Sequence, residues 1–229
     1  MTSGRLRPLL NLLPPSMPEH IYLIRHGEAY NNILPDGLRE IEHPANPPLT
    51  PLGEQQALEL KPVLAAFGPE AVIVSPFLRA VQTIHPFVTP DLTVSVDRRM
   101  GERFFSSVFS SFPGIDPSFY QRYGPRLIPD ELCRDRSSFP DYPETRESVR
   151  DRVSSLWKEW KDVPICRIAF VGHGASLAAL LNFLLPEYPN NTGHGNCGYS
   201  HLEKTPGGWT ARRINCQDHL TQTNGQVIH

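Results

Sequence analysis

Ile21-Tyr22-Leu23-Ile24-Arg25-His26-Gly27 is the stretch on which the reading of the whole chain turns. Four apolar, β-prone residues stop at two cationic side chains and a glycine, as a buried strand does when it ends in a turn that carries chemistry. The pattern returns twice. Ala71-Val72-Ile73-Val74 leads into Ser75-Pro76, an N-cap followed by proline, which predicts a helix start. Arg167 to Val171 leads into Gly172-His173-Gly174 and then into a leucine-rich helix over Ala175 to Leu185.

Other elements fill the intervals. Ala57, Leu58, Leu60, Val63 and Leu64 fall at helical spacing and predict an amphipathic helix over residues 53 to 67. Val149, Val153, Leu156, Trp157 and Trp160 do the same for residues 144 to 161. Thr93 to Val96 reads as a strand, and Tyr199 to Glu203 with Trp209 to Ile214 as a hairpin over Pro206-Gly207-Gly208. Residues 30 to 50, with Asp36-Gly37 and four prolines, read as loop. Strands alternating with helices predict an α/β protein, a three-layer α/β/α sandwich with a central, mostly parallel sheet.

The length of 229 residues fits one domain. It is expected over residues 19 to 216, with an insertion rich in Phe, Tyr, Pro and Ser over about 103 to 143 acting as a lid. Residues 1 to 18 read as a disordered leader, faintly like a transit peptide but broken by Pro8, Pro14, Pro15 and Pro18, and residues 217 to 229 as a loose tail. The net charge of -2 forms no basic stripe, so nucleic acid is not expected as a partner. Cys133, Cys166, Cys197 and Cys216 make no CxxC pair, which favours a reducing, cytoplasmic setting over a zinc or disulfide framework. No apolar run approaches the roughly 18 to 20 residues that span a bilayer, so no membrane association is expected.

In open α/β sheets ligands bind beyond the carboxyl ends of the strands, where Arg25-His26-Gly27, Ser75 to Arg79 and Gly172-His173-Gly174 fall. Helix N-termini and two arginines there suit an anion, and phosphate is the natural one. Arg25-His26-Gly27-Glu28 with Asn32, Leu49-Thr50 with Gly53 and Gln56-Ala57, Ser75-Pro76 with Arg79-Ala80 and Gln82-Thr83, Glu102-Arg103, and Gly172-His173-Gly174 together resemble the histidine phosphatase superfamily, the phosphoglycerate-mutase-like group, over roughly residues 20 to 203.

That resemblance implies a phosphatase acting on a small phosphorylated substrate or a phosphoprotein without metal or other cofactor. His26 would take the phosphoryl group as phosphohistidine. Arg25, Asn32, Arg79 and Gly174 would hold its oxygens, His173 would share the site, and Glu102 would serve as proton donor. Where the family often continues with Phe-Gly or Tyr-Gly after that acid, this chain has Phe104-Phe105. Glu144, Glu147-Ser148 and Arg152 resemble the family's later Gly-Glu-Ser helix start, with Arg146 in place of glycine, and are read as structural. Two alternatives stand beside hydrolysis: a phosphoglycerate-type mutase, and a non-catalytic interaction module on the same fold. His194 is a candidate for the rim of the site. Arg98, Arg99, Arg134 and Arg136 are candidates for reading a second anionic group, with solvated surface charge as the competing reading.

Overall fold

The computed structural model describes residues 17–33, 43–188 and 193–223, and the backbone of 227–228. The strands are β1 (His20–Arg25), β2 (Ala71–Val74), β3 (Thr93–Val96), β4 (Arg167–Gly172), β5 (His194–Gly195), β6 (Tyr199–Thr205), β7 (Gly208–Cys216) and β8 (Val227–Ile228). The α-helices are α1 (Tyr30–Ile33), α2 (Pro51–Phe67), α3 (Leu78–Ile84), α4 (Arg146–Trp160) and α5 (Gly174–Leu184). Six strands form one sheet in the order β3-β2-β4-β1-β6-β7. The first four are mutually parallel, and β6 and β7 add an antiparallel hairpin at one edge.

β2 is buried at every residue, β4 at all but its first, and β1 at all but His20 and Tyr22, because helices cover both faces. Alternation along the strands divides the core. Ile24, Val72, Val74, Ala169 and Val171 meet Leu60 and Leu64 of α2 and Val81 and Ile84 of α3. Ile21, Leu23, Ile73, Ile168 and Phe170 meet Val153, Leu156 and Trp157 of α4 and Leu177, Leu180 and Leu181 of α5. The expected three layers are therefore present.

Local chemistry sets the helix limits. α2 begins two residues before the expected position, because Thr50 Oγ1 accepts the Gly53 N–H at 3.1 Å and Pro51 occupies the first helical turn. It ends at Gly68, whose φ of 60° closes the left-handed cap. α4 starts where Thr145 Oγ1 accepts the Ser148 N–H.

At α3 the sequence reading is corrected. Ser75 is not its N-cap; the helix starts at Leu78, and the serine hydroxyl instead accepts the Phe77 N–H and contacts a histidine across the sheet.

The stretch 103–143 holds short 3₁₀ turns with no α-helix or strand. It is rooted in the core. Phe104, Phe109, Phe112 and Phe139 are buried around Phe77, in edge-to-face and stacked pairs with centroids 4.3–6.3 Å apart. Tyr120 donates its hydroxyl to the Pro76 carbonyl at 2.7 Å and accepts from Asn46 Nδ2, tying the insertion to the turn before α3.

The polar stretch after residue 216 is docked as far as Gln222. Thr221 N donates to Glu59, Gln56 Nε2 donates to the Gln222 carbonyl, and Leu220 packs on the core. The expected leader up to Ser16 lies outside the described residues. Among the described residues no helix is long and apolar enough to cross a membrane.

Candidate active site

β1 and β4 are neighbours in register, Arg25 beside Gly172, so their turns deliver His26 and His173 to the same end of the sheet. The His26 N–H donates to the Gly172 carbonyl at 3.1 Å, and the two imidazole centroids lie 5.0 Å apart. The loop after β1 crosses the start of α2 so closely that a Cβ on Gly53 would meet the Glu28 carbonyl oxygen at 1.9 Å. Glu28 holds this crossing, accepting from Thr50 Oγ1 at 2.7 Å, which gives that acid a loop-shaping part.

The tautomer of His26 follows from its partners. Nδ1 lies 2.6 Å from the Gly27 carbonyl, a group that only accepts, so Nδ1 carries the proton. Nε2 keeps a lone pair, toward which the Arg79 Nε–H points at 3.3 Å. Burial, then Arg79, then Arg25 push the His26 pKa well below its ordinary value, which keeps the ring neutral. His173, fully buried, is lowered in the same way by burial and Arg79. Its Nε2 contacts Ser75 Oγ at 2.8 Å and its Nδ1 lies 3.4 Å from Glu102 Oε2. Ser75 Oγ already accepts the Phe77 N–H, so we assign its proton to His173 Nε2, which leaves Nδ1–H facing the carboxylate.

Arg25 and Arg79 are both 1% exposed. Burial lowers Arg25 to about 10, still a cation at neutral pH. One Arg25 nitrogen is spent on the His194 carbonyl at 2.7 Å. Arg79 Nη2 pairs with Glu102 Oε2 at 3.3 Å. Thr83 Oγ1 accepts the Gly27 N–H and donates to the Arg79 carbonyl.

Asn32 Oδ1 accepts from Ala29 N and from Asn196 Nδ2, so the other end of its amide, Nδ2, is the end left over. Among the described residues Asn32 Nδ2, Arg25 Nε, Arg79 Nη1 and His173 Nδ1 are buried without a hydrogen-bond partner. Buried donors are rarely orphaned, and four in one site call for an acceptor-rich ligand. Gly174 opens α5, whose N-terminus adds partial positive charge at the same place.

His26, Glu102 and His173 also offer ligand atoms within 4.8 Å of one another, a spacing a metal ion would accept. The Arg79 guanidinium already lies against two of the three, and a second buried arginine stands beside it, so the field favours an anion over a cation.

Glu102 hangs from a clamped loop. Arg152 bonds the Arg99 and Glu102 carbonyls, and Glu144, paired with Arg152 Nε at 2.8 Å, accepts the Phe104 N–H. This clamp agrees with the structural part expected of Glu144 and Arg152. Phe104 is buried directly after it, and Phe105, which stands where the family pattern has a glycine, is exposed.

The structure thus gathers His26, His173, Arg25, Arg79, Glu102 and Asn32. It also brings in Ser75, Thr83, Asn196 and the His194 carbonyl, which the sequence reading did not assign. His194 is fully buried and not at a rim. The four candidate second-anion arginines are committed elsewhere: Arg98 to Asp130, Arg99 to Asp97 and Glu159, Arg134 to Asp116 and Glu131, and Arg136 over the Phe104 ring. A cleft of about 740 Å³ opens between His43–Asn46 and Ser107–Phe119 of the insertion, with none of the six gathered residues in its walls.

Buried neutral histidines set a pH dependence. Burial lowers His194 to about 4, and His26 and His173 are also depressed. Below about pH 6.5 the unfolded chain binds protons that the folded chain refuses, so stability falls as pH drops, by up to ~1.4 kcal/mol per pH unit for each ring. The thermal midpoint is expected to decline steeply between pH 6.5 and 4, and less steeply in His194→Asn. A flat profile over that window would show that these rings are not held neutral.

The histidine phosphatase superfamily (branch 1) model matches residues 21–217. The chain is 35% identical over 94 residues to mannitol-1-phosphatase of Eimeria tenella, an alignment covering 38% of this chain and 30% of that protein. It is 28% identical over 188 residues to the transcription factor tau 55 kDa subunit of Saccharomyces cerevisiae, covering 70% of this chain and 39% of that one. The chain therefore aligns with only about a third of the length of these curated relatives. Among solved structures, phosphoserine phosphatase of Entamoeba histolytica bound to 3-phosphoglyceric acid shares the fold, with a TM-score of 0.59, 24% identity, and coverage of 88% of this chain and 98% of that one. With the family's model matched from β1 to the residue after β7, on a sheet that carries the two histidines and two buried arginines at one end, the chain belongs to the histidine phosphatase superfamily.

Proposed function

We propose that this protein hydrolyses phosphomonoesters through a phosphohistidine formed at His26 Nε2. The observation that carries this is the tautomer lock: Gly27 fixes the ring proton on Nδ1, and the remaining lone pair lies among buried, unpartnered cationic and amide donors. A phosphate dianion supplies the oxygens those donors lack. With its phosphorus facing Nε2, the phosphoryl group passes to the ring while Arg25, Arg79 and Asn32 hold the spreading negative charge. His173 Nδ1–H adds a neutral donor. Glu102, beside Arg79 and His173, takes up a proton from solvent as the substrate dianion replaces it on those two side chains, hands that proton to the leaving oxygen and regains one from the water that later cleaves the P–N bond. The phosphatase names among the relatives support the reaction class.

Brief reaction with a labelled phosphomonoester, quenched in base, is expected to leave acid-labile phosphate on His26. Label on no residue during turnover would sink the covalent route. Glu102→Gln is expected to slow alkyl phosphates by about 10²-fold or more while nitrophenyl phosphate, with its good leaving group, loses far less. Equal losses for both would remove Glu102 from the proton-donor part.

A second reading rests on the match to the tau 55 kDa subunit across 70% of this chain: a member of this fold can be part of an assembly. If a broad phosphomonoester panel yields no phosphate and His26→Ala alters only partner binding, that reading replaces the first.

A further inference from the structure

The opposite end of the sheet carries a second cluster of ligating side chains. Glu19, His20 and Cys166 offer a carboxylate oxygen, a ring nitrogen and a thiol sulfur that all lie within 4.8 Å of one another. β1 and β4 start here. His26 is six residues further on, roughly 20 Å away at strand rise, so this cluster is separate from the active site.

The backbone that presents the three groups is rigid. Glu19 N and His20 N both donate to the Cys166 carbonyl, at 2.9 and 3.0 Å. The Glu19 carbonyl accepts from Lys204 N at 2.7 Å, fixing the same segment to β6. Cys166 N and Arg167 N both donate to Glu70. The thiol lies 3.7 Å from Glu19 Oε2, close to the sulfur–oxygen edge of a tetrahedron built on metal bonds of about 2.3 and 2.0 Å. His201 Nε2, 3.3 Å from His20 Nδ1, steadies the His20 ring, as the outer partners of ligating histidines do.

We propose that Glu19, His20 and Cys166 form a binding site for a borderline-soft divalent transition metal, with Zn²⁺ as the ion that suits a sulfur, nitrogen and oxygen set. Three protein ligands leave a fourth position for water. On binding, the thiol proton is released and the thiolate–metal bond replaces the thiol–carboxylate contact. The ion would clip the first residues of β1 to those of β4 at the end of the sheet remote from catalysis. The surrounding field is compatible: Glu70 and Glu203 stand near the thiol and the histidine, while Arg167 and Arg212 are paired with those same acids.

The test uses the full chain stripped of metal. Titration with Co²⁺ is expected to give a thiolate-to-metal charge-transfer band that saturates at one equivalent and is displaced by Zn²⁺. Cys166→Ser is expected to abolish the band, and His20→Gln and Glu19→Gln each to weaken binding tenfold or more. All three variants should keep wild-type phosphate release, and His26→Ala should keep the band. Zn²⁺ should raise the thermal midpoint of the wild type and not of Cys166→Ser.

Absence of a thiolate band, or equal affinity in the wild type and the three variants, overturns the proposal. So does a metal signal lost in His26→Ala, which would place the ion among His26, Glu102 and His173. Because the readout is spectroscopic, its failure leaves the phosphatase reading standing, and the reverse also holds.

Discussion

Exchanging His26 for alanine is expected to lower phosphate release by about 10⁴-fold or more. The side chain supplies the only atom proposed to form a bond to phosphorus, and no neighbouring group can substitute: His173 directs Nε2 at Ser75 and Nδ1 at Glu102. The residue left behind would retain a cationic pocket, so a small residual rate from bound water is expected. The backbone should survive, because the His26 N–H stays on the Gly172 carbonyl and the His26 carbonyl still accepts from Cys197 N and Asn196 Nδ2. Binding of tungstate or inorganic phosphate, followed by calorimetry, should therefore persist within about tenfold while turnover falls to that residual rate. A variant that keeps a hundredth of the wild-type kcat would falsify His26 as nucleophile.

Arg79→Ala is expected to carry the next largest effect, a fall in kcat of about 10²- to 10³-fold, equivalent to ~3–4 kcal/mol of transition-state stabilisation. One guanidinium does three things in this structure: Nε faces the His26 lone pair, Nη2 holds Glu102, and Nη1 is one of the buried donors without a protein partner. Removing it takes away charge from the proposed phosphoryl pocket, releases Glu102 from one of its anchors, and lifts part of the pressure that keeps His26 unprotonated. Arg79→Lys should recover only part of the loss, since an ammonium restores the charge and cannot reproduce a three-nitrogen fork. The pH–rate profile carries the diagnostic. Its acid limb should move upward in Arg79→Ala, toward the ordinary histidine range, because a like charge beside His26 has gone. If both substitutions left kcat within threefold and the limb unmoved, the guanidinium would be a packing group.

The parallel strands were legible because both faces of β1, β2 and β4 are covered, which turns each into an unbroken apolar run that ends in the residues of interest. The helix before the site was read from a local signal that a distant partner overrode. Ser75-Pro76 has the form of a cap, yet the hydroxyl is taken by His173, 98 residues away, and α3 starts further on. His194 shows a different limit. Its contribution to Arg25 is a backbone carbonyl, which any residue carries, so its side chain could not have advertised it. Asn196 leaves no local trace either, since it acts on Asn32 across 164 residues. The insertion had neither period, and only its aromatic content hinted that it would be buried. The surface arginines were decidable in principle: Asp97 and Glu131 stand two and three residues from Arg99 and Arg134, close enough to absorb their charge.

Thr83 gives the site an unexpected mechanical property. Its side-chain oxygen is anchored at once to the peptide that follows the His26 ring and to the peptide that bears the Arg79 guanidinium. The separation between the His26 ring and the Arg79 charge is therefore inherited from one atom, and the first turn and α3 are tied to travel together. Under the proposed mechanism, breathing that admits an ester would fall to the opposite wall, where the Glu102 loop is suspended from the Arg152 strut. Entry of substrate and delivery of the proton would then be one movement, and loosening that strut would disturb both while the ring and its cation kept their spacing.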